Sequence, residues 1–158
     1  MKKITIAILV IGTFISLNAN EIKVSNVLNN YLAAWNEHNI KKIDSFYANN
    51  ITWYDLGYDY TTKGKKKVSK AITDAFLGYV PDMYWAKNGD VFISGNTIVY
   101  EWVYGGTFNG KWGDISVVNK KFEIKGISTT TINKNGKIIS QKDYYNAYDF
   151  QKQLGMIK

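Results

Sequence analysis

Two aspartates are the residues of this sequence best suited to proton transfer in a pocket. Asp143 lies in a strand predicted over residues 137–145. Asp55 ends an earlier predicted strand, two positions after Trp53. A carboxylate whose pKa is raised by apolar surroundings can take a proton next to a carbonyl group or activate a water molecule. Asp55 and Asp143 are therefore the candidate catalytic residues.

The direction in which these carboxylates face decides between a catalytic and a structural role. Strand alternation puts Asp143 and Tyr145 on one face, and Tyr144 and Asn146 on the other. If Asn146 faces a pocket, Asp143 faces away, unless a bulge re-aims it, and is then a surface or dimer-interface acid. For Asp55 the alternative is a capping role in the following loop.

Aromatic residues make up 15% of the chain and include five tryptophans and twelve tyrosines. These side chains combine apolar area with a polar handle, which suits an apolar cavity that holds a few hydrogen-bonding groups. The candidate substrate-binding residues are Trp35, Trp53, Trp85, Trp102, Tyr104, Ser128, Tyr144 and Asn146. For the aromatic members, the alternative is ordinary core packing. The expected ligand is a small apolar or aromatic molecule, oriented by the serine, the asparagine and a tyrosine hydroxyl.

Several kinds of chemistry are excluded by composition. The chain has no cysteine, so it has no disulfides and no thiolate metal site, and its single histidine, His38, cannot form a zinc cluster. A serine nucleophile would need a histidine partner, and His38 is poorly placed between two predicted helices. No phosphate-binding glycine loop is present. We expect neither a metal nor a cofactor.

Charge also limits the partners. The chain carries 20 basic and 13 acidic residues, and every basic residue is a lysine. Bidentate reading of guanine or phosphate favours arginine, so nucleic acid is not expected as a partner. Residues 63–70 form the only dense lysine group. This group is either a solvated helix start or a site that attracts an acidic ligand or an anionic surface.

The first residues are typical of an export signal. Lys2 and Lys3 precede an apolar run over residues 4–17, and Ala19 provides a small residue before a cut. This pattern predicts a cleaved signal peptide over residues 1–19 and one domain over residues 20–158, which would be periplasmic or secreted. No stable membrane insertion is expected after cleavage. The alternative is an uncleaved N-terminal anchor.

Helical signals dominate the first half of the predicted domain. Residues 21–36 have an apolar stripe with helical spacing, and Asn39 can cap a second helix over residues 40–47. A third helix, capped by Thr62, is expected to run to about Tyr79 and to stop before Pro81.

The second half is predicted to be mainly strands. The first covers residues 83–87, with a turn at Asn88-Gly89 and a continuation through Val91 and Ile93, and the others cover residues 96–106, 122–132 and 137–145. Asn-Gly turns between them indicate an antiparallel sheet, and residues 105–118 are expected to be a glycine-rich connection over one end of a cavity. The fold class is therefore α+β, with a curved antiparallel sheet wrapped around a helix to form a cone.

Several segments in this order resemble one known family. Residues 31–53 resemble its opening helix pair and first strand, and residues 64–82, ending in Tyr-Val-Pro-Asp, resemble its third helix and following turn. The segments Gly106-Thr107-Phe108-Asn109-Gly110, residues 126–139 and Gln153-Leu154-Gly155 resemble a loop between sheet strands, the last hairpin and the closing helix. The chain resembles the SnoaL-like (polyketide cyclase-like) branch of the nuclear transport factor 2-like superfamily.

This resemblance implies a cone-shaped α+β barrel with a deep pocket, often dimeric through its sheet. The superfamily includes polyketide cyclases, limonene epoxide hydrolase and ketosteroid isomerase, together with binding modules. Two acidic positions of the resembling enzymes match Asn146 and Ser128 here, and neither is a titratable acid.

Three functions follow as hypotheses. The first is an exported domain that binds a small, mostly apolar molecule. The second is a polyketide cyclase-, isomerase- or epoxide hydrolase-like enzyme that uses a pocket aspartate as its base. The third is a homodimeric interaction module of the cell envelope.

Overall fold

The computed structural model describes residues 19–157. The expected signal peptide lies outside these residues, except for its last position. The helices are α1 (Ala19–Asn36), α2 (Ile40–Phe46), α3 (Lys65–Ala71) and α4 (Ala147–Gln153). The strands are β1 (Tyr47–Asp55), β2 (Tyr60–Lys63), β3 (Tyr84–Ser94), β4 (Thr97–Trp112), β5 (Ile115–Ile132) and β6 (Ile138–Tyr145). A π-helical turn, Ile72–Leu77, continues α3.

Helix α1 lies against the sheet through the stripe that the sequence predicts. Val24, Leu28, Tyr31 and Trp35 are all buried, with 0–2% of their surface exposed. The side chain of Asn36 fixes the end of this helix to β3. It donates to the carbonyl of Trp85 at 2.7 Å and accepts from the amide of Trp85 at 3.0 Å. The two-bond contact sets Trp35 beside Trp85.

A side-chain cap marks the start of α2, and a glycine precedes α3. Asn39 caps α2 by accepting from the amide of Lys42, as predicted. The predicted cap at Thr62 is wrong, because Thr62 lies in β2 and Gly64, at φ 88°, precedes α3. Glycine takes this positive φ without the steric cost that a Cβ would bring.

The six strands form one curved sheet in the order β2-β1-β6-β5-β4-β3. Four of the five pairings are antiparallel, whereas β1 and β6 run parallel. The parallel pairing joins strands that are far apart in the sequence, so no hairpin turn constrains their direction. Sequence reasoning predicted an antiparallel sheet and could not see this non-local parallel pairing. The predicted turn at Asn88-Gly89 lies inside β3, where its pairing with β4 shifts register. The result is an α+β fold, as expected.

The expected loop over residues 105–118 is instead a continuous hairpin. Strand β4 runs to Trp112, and β5 begins at Ile115. The glycines that indicated a loop make room for aromatic rings. A Cβ on Gly105 would lie 2.5 Å from the Tyr84 hydroxyl oxygen, and one on Gly110 would lie 2.2 Å from Cγ of Tyr79. Glycine in a strand can mark such a close approach.

No helix within residues 19–157 is both long enough and apolar enough to cross a membrane.

Candidate functional site

A cavity of about 520 Å³ lies on the concave side of the sheet, bounded by α1, by the end of α3 with the π-helical turn after it, and by α4. Twenty residues line it; thirteen are aromatic, two are acidic and none is basic. All five tryptophans of the chain are among them. The cavity is therefore largely apolar, with a negative charge at two points.

Four tryptophans meet at right angles along the cavity wall. The ring planes of Trp53 and Trp35 are 88° apart, those of Trp35 and Trp85 are 85° apart, and those of Trp85 and Trp102 are 90° apart. Their centroids lie 5.3–6.1 Å apart, within the range of favourable edge-to-face packing. This packing holds the rings on several sides of the cavity.

Two of these indoles have no hydrogen-bond acceptor. Nε1 of Trp35 and Nε1 of Trp85 are the buried side-chain nitrogen and oxygen atoms without a partner among the described residues. A buried polar group without a partner costs free energy, so each of these two N–H groups lowers the stability of the fold.

The Asp143 carboxylate lies in the cavity wall with 7% of its surface exposed and is held by three donors. Oδ2 accepts from the Trp53 indole at 2.6 Å. Oδ1 accepts from the Ser128 hydroxyl at 2.5 Å and from the Gln141 amide at 2.6 Å. A carboxylate has about four acceptor sites, so one site on Oδ2 is left for a ligand.

Outer partners fix the direction of two of the three hydrogen bonds to Asp143, and the Trp53 indole can only donate. Trp102 Nε1 donates to Ser128 Oγ at 2.7 Å, so the serine hydrogen points to Asp143. Thr130 donates to Oε1 of Gln141 at 2.5 Å, which leaves the Gln141 nitrogen to donate to Asp143. Ser128, Thr130 and Gln141 are buried. All three donors therefore favour the ionised form of the Asp143 carboxylate.

Gly126 provides the space that this arrangement needs. A Cβ at Gly126 would lie 2.3 Å from Cζ2 of Trp102 and 2.5 Å from the carbonyl oxygen of Tyr144. The Trp102 ring therefore packs closely against Gly126, and its nitrogen donates to Ser128.

Burial raises the pKa of Asp143 to about 6, and the nearby Asp55 charge adds to the increase. The hydrogen bonds from Ser128, Gln141 and Trp53 oppose it. Desolvation disfavours the charged carboxylate, whereas donors to the charged form favour it. The balance leaves Asp143 mostly ionised at neutral pH and able to take up a proton just below it.

Asp55 is the second acid of the cavity and lies nearer to solvent. Its Oδ1 accepts from the Tyr145 hydroxyl at 2.9 Å and from the amide of Tyr58 at 3.3 Å. Burial raises the pKa of Asp55, and these hydrogen bonds oppose the increase. Burial and the Asp55 charge raise the pKa of Tyr145 in turn, so that its hydroxyl stays a donor.

Tyr104 brings an uncommitted hydroxyl to the cavity. The Tyr104 side chain lines the cavity, and none of the described residues forms a hydrogen bond with its hydroxyl. Burial raises the pKa of Tyr104 above its ordinary value. The group is therefore a neutral donor or acceptor that is available to a ligand.

Two exposed tyrosines and one tryptophan mark the entrance. Tyr58 and Tyr60 line the cavity and are 50% and 66% exposed. The Tyr58 ring stacks on Trp112, with centroids 4.2 Å apart and planes inclined by 27°. This stack joins the loop after β1 to the tip of the β4–β5 hairpin.

Most of the predicted site residues lie where a ligand could meet them. Asp55, Asp143 and the predicted aromatic residues other than Tyr144 line the cavity. Ser128 lies behind Asp143 and contacts it directly. The predicted members that line the cavity are Trp35, Trp53, Trp85, Trp102 and Tyr104.

Two predicted residues lie elsewhere. Tyr144 is 36% exposed and stacks obliquely on Tyr54, away from the cavity. Asn146 is exposed and caps α4, where it accepts from the amide of Asp149 at 3.1 Å. The predicted alternation of residues 143–145 holds, but the inward face is the opposite of the one expected from Asn146. Asn146 gave the wrong face because it follows the strand and serves the helix.

Gln141 and Tyr145 are site residues that sequence reasoning missed. Both lie two positions from Asp143, so they share its face of β6. Gln141 holds Asp143, and Tyr145 holds Asp55. Once Asp143 is placed inward, the alternation alone identifies both.

Within residues 19–157, no group of three or more histidine, aspartate or glutamate side chains is arranged to hold a metal ion.

The fold is the nuclear transport factor 2-like fold, also described as ketosteroid isomerase-like. A family model described as SnoaL-like polyketide cyclase matches residues 25–154. The chain belongs to the SnoaL-like polyketide cyclase family. No curated protein matches it.

Solved structures of low sequence identity share the fold. A proposed SnoaL-like polyketide cyclase from Jannaschia sp. CCS1 has a TM-score of 0.77 at 9% identity and covers 89% of this chain and 97% of its own. TsrD from Streptomyces laurentii has a TM-score of 0.74 at 18% identity, and the match covers 89% of this chain and 100% of TsrD. A protein with a ketosteroid isomerase-like fold from Catenulispora acidiphila, solved with trimethylamine, has a TM-score of 0.66 at 22% identity. That match covers 83% of this chain and 93% of the other.

Proposed function

We propose that this protein binds a small, largely apolar molecule in the cavity. The observation that carries the proposal is the cavity of about 520 Å³ with thirteen aromatic residues in its lining. Removing apolar surface from water contributes about 25 cal/mol per Å². A ligand with a compact hydrocarbon body would gain its affinity in this way, while Tyr104 and Asp143 would orient its polar end.

Binding is tested by calorimetric titration with adamantan-1-ol, a rigid hydrocarbon with one hydroxyl. In Ala75→Trp, a large side chain would enter the cavity from the π-helical turn after α3. Ala86→Trp places the same ring on an exposed position of β3. We expect the probe to bind to the wild type and to Ala86→Trp, and not to Ala75→Trp. Equal binding to both variants would show that the probe binds outside the cavity.

A second candidate function is proton abstraction by Asp143, favoured by the buried carboxylate whose pKa is about 6. In this reaction Oδ2 takes a proton from a carbon next to a carbonyl group. The electron pair of the broken C–H bond moves to the carbonyl oxygen, and the Tyr104 hydroxyl donates a hydrogen bond to the resulting enolate. A carboxylic acid forms at Asp143 and returns the proton. The cyclase-like role of the family would use this step.

Proton abstraction is tested by hydrogen–deuterium exchange at C1 of 2-tetralone in D₂O, followed by NMR. We expect Asp143→Asn to lose the catalysed exchange by a factor on the order of 10² or more, the range for general bases. Asp90→Asn removes an exposed carboxylate of β3 and should exchange at the wild-type rate. Exchange by Asp143→Asn at the wild-type rate would remove Asp143 as the base.

Export and self-association stay predictions. We propose that the outer sheet face, where Tyr144 and Ile127 are exposed neighbours across β5 and β6, is the surface that forms a homodimer. Tyr144→Lys would then convert a dimer to a monomer in light scattering, and the wild type being a monomer would contradict the proposal. Cell fractionation and the N-terminal residue of the purified protein test export.

A further inference from the structure

The charge of the cavity points to a narrower class of ligand. We infer that the molecule bound here carries a positive charge on its apolar body, as an organic amine does. This inference rests on the proposed small-molecule binding and adds the charge of the ligand to it.

The lining has a sign of its own, opposite to that of the whole chain. The chain has 20 basic and 13 acidic residues, yet the cavity lining has two acids, Asp55 and Asp143, and no basic residue. Within the described residues, no salt bridge involves either acid. Burying a charge is costly unless an opposite charge or strong hydrogen bonds compensate it. A cation in the cavity would provide that compensation.

The two carboxylates are placed so that one cation can reach both. Asp55 and Asp143 are register partners on the parallel strands β1 and β6, and both side chains face the cavity. Neighbouring strands lie about 4.8 Å apart, so the two side chains start from neighbouring backbone positions. Their proximity already raises the pKa of Asp143. A cation beside them would be attracted to both carboxylates and would offset this repulsion.

The hydrogen-bond network keeps the inner site anionic. Trp53, Ser128 and Gln141 all donate to Asp143, and no described side chain requires Asp143 to donate. Three buried donors thus stabilise a negative charge at the wall of the cavity. An acceptor-only carboxylate with one open site on Oδ2 is a partner for an N–H⁺ group.

The aromatic wall suits the same ligand. Trp53, Trp35, Trp85 and Trp102 follow one another at angles of 85–90°, so that rings bound the space on several sides. The faces of aromatic rings attract cations within about 6 Å of the centroid, and tryptophan does so most strongly. A hydrocarbon body would use only the area of these rings, whereas the charge of an amine would use their charge distribution as well.

The test uses three probes that share one hydrocarbon body and differ in charge. Adamantan-1-amine is a cation at pH 7.5, adamantan-1-ol is neutral, and adamantane-1-carboxylate is an anion. Calorimetry on the full chain gives the affinity of each. We expect the amine to bind at least about tenfold more tightly than the alcohol, a difference of about 1.4 kcal/mol, and the carboxylate to bind most weakly.

Variants locate the effect. Asp55→Asn removes the charge at the less buried acid, which makes folding of the variant straightforward to retain. It should lower the affinity for the amine about tenfold and change the affinity for the alcohol by less than about twofold, because removing a charge partner at short range affects only the charged probe. Asp90→Asn is the matched control, with a carboxylate outside the cavity, and should leave all three affinities unchanged.

The outcomes separate this inference from the proposed function. If the alcohol binds as tightly as the amine, or if Asp55→Asn and Asp143→Asn leave the amine affinity unchanged, the charge inference is overturned and apolar binding stands. If none of the three probes binds to the wild type, both fail. A preference for the amine that Asp55→Asn removes supports the inference.

Discussion

Asp143 and Asp55 face each other across the only parallel pairing of the described sheet, and both carboxylates face one apolar cavity. Each is held by donors from its own surroundings, Asp143 by three side chains and Asp55 by Tyr145 and a loop amide. These donors oppose the increase that burial causes in the pKa of both carboxyl groups.

The first prediction concerns stability and pH. The pKa of Asp143 is raised to about 6 from 3.8, so the folded state binds more protons than the unfolded state between these values. The contribution of Asp143 is therefore most favourable below pH 4 and is lost as the pH rises through about 6. Each unit of pKa shift corresponds to about 1.4 kcal/mol, so the loss is a few kcal/mol.

This pH effect is measured by urea unfolding of the wild type and of Asp143→Asn from pH 4 to pH 7.5. Other acids also titrate, and Asp82, whose pKa is lowered by its hydrogen bonds with Thr107, acts in the opposite direction. The difference in free energy of unfolding between the two proteins isolates Asp143. It should fall as the pH rises, and a difference independent of pH would contradict the assignment.

The second prediction concerns Ser128, which joins Trp102 to Asp143. Ser128→Ala leaves the Trp102 N–H without an acceptor and removes one donor from Asp143. We expect a loss of about 1–3 kcal/mol in the free energy of unfolding, the cost of an unsatisfied buried group. The pKa of Asp143 should rise further, which NMR titration of its carboxyl carbon would detect. Ser94→Ala, at an exposed position of β3, should change neither quantity.

The third prediction concerns Gly126. An alanine Cβ would lie 2.3 Å from Trp102, so Gly126→Ala should displace the indole and break its contact with Ser128. Overpacking of this kind costs about 1–3 kcal/mol. Near-ultraviolet circular dichroism should show the loss of an ordered tryptophan. In the control Gly113→Ala, the added Cβ meets nothing within 4 Å, although its φ of 58° brings some strain. The tryptophan signal of this control should remain.

The fourth prediction concerns the entrance. Tyr58→Ala removes the ring that stacks on Trp112 and should weaken probe binding by about 0.5–1.5 kcal/mol, the range for an aromatic pair. The change should appear mainly as faster dissociation, measured by stopped-flow tryptophan fluorescence with adamantan-1-amine. Tyr148→Ala removes a tyrosine that is 61% exposed and outside the cavity. The probe should dissociate from this control at the wild-type rate. Equal rates in all three proteins would remove Tyr58 from the entrance.

Local patterns predicted much of the fold. The apolar spacing of residues 24–35 identified the buried side of α1, and Asn39 identified the start of α2. The Asn135-Gly136 signal identified the turn between β5 and β6. Residues 105–118 were predicted wrongly, because glycine is as suited to a strand that receives aromatic rings as it is to a loop.

The sequence by itself determined that the chain is rich in aromatic residues, carries aspartates in two predicted strands and has no metal-binding thiolates, since these follow from residue types and their order. It also determined that Asp143 shares a face with Gln141 and Tyr145, because alternation is a property of any strand. Only the tertiary structure decided which face is inward and that Asp55 is the neighbour of Asp143. That choice follows from the parallel pairing of β1 and β6, which depends on packing between distant segments.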